Sequence, residues 1–371
     1  MKVGVLNVGS TTLKAALIDS QTGHSEAEFL VDRIGQPEGD AADHAAAVQA
    51  IAEEFRHHTI EAIGHRVVHG GTSFSQATVV NEDTLAQLAQ LDTFAPLHNP
   101  PARRVIEIIH RSMQELPAVM VFDTAYFASL PRAAAQYGIA NEYFVEHGIR
   151  RYGAHGTSHQ YVVNRLRTIA PECQRIISLH LGGGCSATAS LEGVAVETSM
   201  GLTPLEGLVM ATRSGDIDPS VVFALMDRFD LNTKQANDQL QRTGGLVGLC
   251  GDSDVRTILQ RRADGDALAE NAINVFVHRI RKYIGAYMAV LGGVDAILFT
   301  AGIGENAAPI RSLVAAGLES FGIMVDAQLN AAASNSREHR ISPASSPVQV
   351  WVVPTNEALA IAQQTEQALR G

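Results

Sequence analysis

Cysteine is scarce: Cys173, Cys185 and Cys250 are the only three in 371 residues, and none pair as CxxC. So few and scattered, they exclude a disulfide framework or a Cys-ligated zinc site and read as the reduced thiols of a cytoplasmic protein. Cations are short as well, 28 Lys+Arg against 39 Asp+Glu for a net charge of −11. General nucleic-acid or anionic-membrane binding needs the opposite balance. No apolar run approaches the ~20 residues of a membrane span. No charged, apolar and cleavable leader stands ahead of the strand-like stretch 2–8. The expected partners therefore include neither nucleic acid nor membrane. The Walker A pattern and the HRD…DFG pair of protein kinases are both missing.

What is present is a large apolar fraction, 46% against 18% charged, enough to bury substantial cores. The length suits two domains. Val5 to Ile18 and Ser178 to Leu191 begin alike: an apolar strand, a tight turn of glycine and hydroxyl residues, and a second strand. Each reads as a β-hairpin, so the chain carries a weak internal repeat. Elsewhere the pattern is α/β. Helical periodicity covers 40–57, 81–91, 102–115, 160–169 and 268–291, and strand-like runs cover 118–122, 175–180, 296–300 and 348–353. The stretch 20–43 reads as a hairpin edge or loop, and 331–347 as a surface excursion.

Two segments match GxGxx[GA]. Gly182 to Ala187 is followed by a strand, not a helix, and so fails as a dinucleotide fingerprint. Gly302-Ile303-Gly304-Glu305-Asn306-Ala307 follows a strand and has Asp326 downstream, so a nicotinamide-dependent oxidoreductase is an alternative. A broader arrangement accounts for more. Glycine turns at 9–12, 182–185, 244–245 and 302–306 leave backbone N–H groups open to a phosphate, and their spread over both halves points to a nucleotide clamped between two domains. A purely conformational ATP-binding clamp is the other alternative.

The motifs then fall in a familiar order. Asn7-x-Gly9-Ser10-x-x-x-Lys14 is followed by Gly64-His65-Arg66-Val67-Val68-His69-Gly70-Gly71, Ala95-Pro96-Leu97-His98-Asn99-Pro100 and Phe122-Asp123-Thr124-Ala125. Arg151-Tyr152-Gly153-x-His155-Gly156-Thr157-Ser158-His159, His180-Leu181-Gly182, Thr212-Arg213-Ser214-Gly215-Asp216, Gly302-Ile303-Gly304-Glu305-Asn306 and Pro354-Thr355-Asn356-Glu357 complete the set. This resembles the acetate and propionate kinase family. The resemblance implies the two-domain actin-like fold with duplicated hairpin phosphate loops. Residues 1–125 with 358–371 would form the N-terminal domain and 126–357 the C-terminal, nucleotide-binding one. It also implies a homodimer, ATP with Mg²⁺ or Mn²⁺, and reversible γ-phosphoryl transfer to acetate, propionate or butyrate, giving an acyl phosphate and ADP.

The chemistry suits that inventory. A short carboxylic acid titrates near ~4 and is an anion at neutral pH, so no general base is needed. The task is to bring two anions together and to stabilise the charge of an in-line transition state. By resemblance, Arg66 grips the carboxylate and Arg213 bridges it to the moving phosphoryl, His155 and His180 donate to phosphoryl oxygens, and Asp123 orients Arg66 or the metal shell. Asn7 and Glu357 stand on the magnesium side. Ser10, Thr12, Lys14, His180, Gly182, Gly183, Gly184, Asp254, Arg256, Gly302, Ile303, Gly304 and Asn306 surround ATP. Val68, Leu97, Ala154 and Pro204 enclose the acceptor's alkyl group. His155 and His159 have a zinc-pair spacing without a third ligand, so His159 is taken as structural. The chain departs from the family's pattern at Thr12 for serine, Gly183 for asparagine, Pro101-Ala102 for Ala-Asn, Tyr126-Phe127-Ala128 for Phe-His-Gln, and Ala154 for phenylalanine. The transfer machinery is kept; the acceptor wall is altered.

Overall fold

A computed structural model describes residues 1–9, 11–95 and 98–371. The chain divides into two compact units: Met1–Ala128 with Ala154–Tyr161 and Asn356–Gly371, and Ser129–Gly153 with Val162–Thr355.

The first unit is built on β1 (Lys2–Val8), β2 (Leu13–Asp19), β3 (Ser25–Val31), β4 (Ala62–Val67), β5 (Thr78–Val79) and β6 (Ala118–Phe122), in the order β3-β2-β1-β4-β6-β5. β1 and β2 form the expected hairpin, with Asn7 opposite Lys14, while β1, β4 and β6 run parallel. Val3, Val5, Ile18, Val119 and Val121 lie under the final helix, Glu357–Arg370. The opposite face packs Leu6, Ile63, Val67, Met120 and Phe122 on the helices His44–Phe55 and Asn99–Ser112. Alternate residues of β1, β4 and β6 thus feed two apolar layers, the pattern of a sheet covered on both faces. His65 falls in the second layer, 1% exposed, with neither ring nitrogen hydrogen-bonded, and burial lowers its pKa to about 3. The polar stretch 20–43 supplies β3, whose alternating exposure marks a strand with one open face.

The second unit repeats the plan with β7 (Arg175–Leu181), β8 (Cys185–Leu191), β9 (Val194–Thr198), β10 (Ala296–Thr300), β11 (His339–Arg340) and β12 (Gln349–Val352). Its order is β9-β8-β7-β10-β12-β11, with the same parallel and antiparallel pairings as in the first sheet. This is the two-domain actin-like architecture, and the duplicated hairpins are its visible trace in the sequence. The long helix Ala267–Leu291 is capped by Asp266, whose side chain accepts from Leu268 and Ala269 N–H, and ends at Gly292 in a left-handed conformation, a common helix terminator. It packs on β7 and β8.

Candidate active site

In the first unit the functional side chains gather where β1, β4 and β6 end. Asn7 and Arg66 are paired across β1 and β4, and Asp123 directly follows β6. Arg66 Nε donates to both Asp123 carboxylate oxygens at 3.2 Å, Nη2 donates to Oδ2 at 2.6 Å, and Nη1 donates to Asn7 Oδ1 at 3.1 Å. Three of the five guanidinium N–H groups are thereby engaged, leaving two without a hydrogen-bond partner among the described residues. Burial alone would lower the Arg66 pKa, but Asp123 and Glu357 together raise it above its usual value. Asp123 is 1% exposed and also accepts from Thr157 Oγ1 at 3.1 Å. Gly156 N–H donates to the Asp123 carbonyl at 2.9 Å, and a Cβ there would lie 2.1 Å from that same oxygen. Only glycine permits so close an approach. His155, at φ 57°, turns the chain into the helix Gly156–Ile169.

Glu357 opens the last helix, its Oε2 4.0 Å from Arg66 Nε. Burial raises its pKa, opposed by Arg66 and Lys14. Asn7, Lys14 and Glu357 line a 430 Å³ cavity floored by Val5, Ala358 and Ile361. Gly9 N–H closes the β1–β2 turn on Thr12 O at 2.7 Å. Val68 is half-buried just past β4, and Ala154 is buried beside His155. Phe127 is buried against Tyr126 and His159. Ser10 and Leu97 lie outside the described residues.

In the second unit Gly182 and Gly183 share a 550 Å³ cavity with Asp254, Arg256, Gly302, Ile303 and Asn306. The β7–β8 turn closes from Gly182 N–H to Gly184 O at 3.0 Å, and His180, at the end of β7, pairs with Thr300 of β10. A side chain at Gly183 would meet open space, so asparagine is not sterically barred there. Asp254 caps the helix Val255–Ala263 and pairs with Arg256 at 2.6 Å, which lowers its pKa to about 2. Both residues line the cavity as a surface ion pair, the Arg256 side chain remaining 90% exposed.

Two of the four glycine turns differ from expectation. Residues 302–306 are not a loop but lie in the short helix Ala301–Asn306, broken at Ala307. Asp326 caps the helix Ala327–Ala332 through the N–H groups of Gln328 and Leu329, so it serves its own helix and the dinucleotide reading loses its acid. At Gly244-Gly245, Leu246 and Val247 N–H donate to the carbonyls of Met210 and Ala211. A Cβ on Gly245, at φ 58°, would lie 2.7 Å from Arg213 O. That turn braces the segment carrying Arg213.

Arg213 Nη1 donates to Pro204 O at 3.0 Å and approaches Met210 Sδ at 3.5 Å. Among the described residues no acid pairs with it, and burial lowers its pKa. Its segment is pinned by Asp216, which sequence reasoning did not single out. The carboxylate accepts from Gly207 N–H at 2.8 Å and from Tyr283 OH at 2.9 Å. Arg151, Tyr137 and Glu206 form a second such brace. Asp216 stands in a motif quoted above, but the partners of both acids on distant elements carry no sequence signal.

Among the described residues no three His, Cys, Asp or Glu side chains are grouped to hold a metal by themselves. Magnesium is typically held by one or two carboxylates together with substrate phosphates, and the oxygens of Asn7 and Glu357 fit that mode. No helix among the described residues is long and apolar enough to cross a membrane.

The family profile described as "Acetokinase family" matches residues 2–363. An acetate kinase of Streptomyces avermitilis is 47% identical, covering 98% of this chain and 96% of its own. Among solved structures, a propionate kinase from Francisella tularensis superposes with a TM-score of 0.93 at 39% identity, over 99% of both chains. An acetate kinase from Porphyromonas gingivalis gives 0.93 at 36%, again over 99% of both.

Proposed function

The chain belongs to the acetokinase family and is a phosphotransferase with a carboxyl acceptor, and from that premise we propose how its own residues carry the reaction. The donor is ATP. A carboxylate oxygen of the acceptor attacks the γ-phosphorus in line as the bond to the β–γ bridging oxygen breaks, releasing ADP. Arg66 holds the acceptor carboxylate with its two remaining N–H groups, and Asp123 positions Arg66. Arg213, with no acid paired to it among the described residues, meets the charge developing on the phosphoryl oxygens, where His155 and His180 also donate. Asn7 and Glu357 would hold Mg²⁺, which when bound would offset phosphate charge. Lys14, Thr12 and Gly182 to Gly184 attend the phosphates. The 550 Å³ cavity takes the adenosine. The observation that carries this reading is the buried Arg66–Asp123–Asn7 cluster at the strand ends, a cation prepared for a second anion.

Val68 and Ala154 are the residues assigned to the acceptor's alkyl group. With alanine in place of an aromatic ring, propionate or butyrate should match or exceed acetate in kcat/KM. Acyl-hydroxamate formation with Mg-ATP and each of the three acids, with and without EDTA, tests donor, metal and acceptor together; turnover that survives EDTA would overturn the metal assignment.

The protein acts as a homodimer in the cytoplasm. The helix Ser220–Phe229 has no buried residue and leaves Phe223 64% and Phe229 67% exposed, which supports a second copy covering it. Phe223→Lys should shift the sedimentation coefficient toward a monomer; an unchanged value removes this face from the interface.

A further inference from the structure

The helix Ala301–Asn306 is an improbable element. It has six residues, two of them glycine, and begins at Ala301 with a φ of 64°. Glycine is the poorest helix former after proline, and an alanine at positive φ is strained. The adjoining Thr300 makes no side-chain cap. Something else must hold the segment.

Two buried side chains of opposite charge do so, one at each end. Glu305 is 8% exposed and folds back over its own helix: Oε1 accepts from Ala301 N–H at 2.8 Å and Thr300 Oγ1 at 3.3 Å, and from Thr355 N–H at 3.0 Å. It thereby fixes the first helical residue and the strand-following segment 353–355 by a single atom. Arg311 is 1% exposed and donates from Nη1 to the carbonyls of Gly304 and Glu305, at 2.9 and 2.8 Å. Its Nε and Nη2 reach Asn330 Oδ1 and the Asn330 carbonyl. Among the described residues it has no acid partner, and burial brings its pKa down to about 10, so it remains charged at neutral pH. A buried guanidinium without a counterion is costly, and a merely packed helix would not need one. The acid sits at the helix start and the cation at its end, the arrangement that complements the backbone dipoles.

We propose that Glu305 and Arg311 are positioning residues for nucleotide binding: they fix the helix Ala301–Asn306 beforehand, so that Gly302, Ile303 and Asn306 present a formed wall to the base and ribose. This rests on the reading of the 550 Å³ cavity as the adenosine site. Neither residue lines that cavity; both act through the backbone.

Hydrogen exchange on the unaltered enzyme, with and without ADP, separates the two claims. ADP should slow exchange at 182–184 and 254–259. No change there would remove the nucleotide from this cavity, and the proposal with it. Amides of 304–307 should already be protected without ADP, since these are the N–H groups bonded within the helix; fast exchange that slows only on ADP addition would overturn the preformed wall and leave the nucleotide site standing. Glu305→Ala should weaken ADP binding and raise the ATP KM about tenfold, the loss of a hydrogen bond to a charged acceptor, with the carboxylate KM within twofold. Glu305→Gln keeps an acceptor oxygen and should stay within threefold of wild type. Unchanged ADP affinity in the alanine variant, or equal changes in both KM values, would refute the assignment. If that variant does not fold, the exchange measurement decides.

Discussion

The two sheets share strand order and pairing, yet the corresponding corners are equipped differently. In the first, the outermost pair of the β1–β4 ladder is Asn7 and Arg66, and a buried ion pair to Asp123 completes the corner. In the second, the outermost pair of the β7–β10 ladder is His180 and Thr300, and a glycine-bearing helix follows at once. One copy of the plan ends in a buried arginine–acid pair. The other ends in a glycine-bearing helix that lines a 550 Å³ cavity. Duplication supplies the frame, and what stands at the strand ends decides the use. The arginines repeat the contrast: Arg66 is tied to an acid, whereas Arg213 is held by a carbonyl and braced from behind.

Deleting each arginine should sharpen that contrast most. Arg213→Ala should lower kcat by about 10²–10³, as loss of a transition-state donor does, with little change in Tm, because no buried acid is orphaned. Arg66→Ala should raise the carboxylate KM and also destabilise the fold by about 3–5 kcal/mol, since Asp123 is left buried and unpaired. Matching losses of stability in the two variants would erase the distinction. Steady-state kinetics and thermal unfolding read both.

Acid should distinguish the units next. The folded pKa of His65, near 3, lies below its unfolded value of about 6.5, so the unfolded chain binds the extra proton. Stability is complete above pH 6.5 and falls by about 1.4 kcal/mol per pH unit as pH drops toward the folded value. His65→Leu should flatten this slope, measured by denaturant titration between pH 4 and 7. An unchanged slope would show that other groups govern acid sensitivity.

Acceptor choice comes third. Ala154→Phe should restore acetate preference by about 1–3 kcal/mol in discrimination against butyrate, read as ratios of kcat/KM. An acetate preference already strong in wild type and unmoved by the substitution would mean that another side chain closes the pocket.

The smallest effect concerns Glu357. Burial raises its pKa, so the folded state favours its protonated form, and the stability linked to that proton is lost as pH rises through the folded pKa. Glu357→Gln should therefore leave the metal-free protein as stable as wild type or more so at pH 7, while raising the Mg²⁺ needed for half-maximal rate several-fold. A lower Tm with an unchanged magnesium requirement would make Glu357 only a favourable helix-start residue.

How legible each part was in the sequence follows from what holds it. Strands β6 and β10 match their expected ranges, and the helix Ala267–Leu291 differs by one residue at its start, because continuous burial or a sustained 3.6 period speaks for itself. The helix Ser220–Phe229 was not legible: apolar residues on several faces and none buried leave no single stripe to recognise. The helix Ala301–Asn306 was read as a loop because its glycines say so and the restoring contacts come from Glu305 and Arg311. Arg66 and Asp123 were legible through their motifs. Asp216 was not, since its brace Tyr283 lies on another helix.

The helix Glu357–Arg370 that closes one face of the first sheet also sets an order of events at the ribosome. Val3, Val5 and Ile18 emerge early, but the helix that covers them is made only after Ser129–Thr355 has been synthesised. At about 5–20 residues per second that interval is tens of seconds. Throughout it the nascent first unit holds an apolar sheet face open to water, a natural ligand for a chaperone, whereas the second unit's own sheet is completed with β12 before that helix is made.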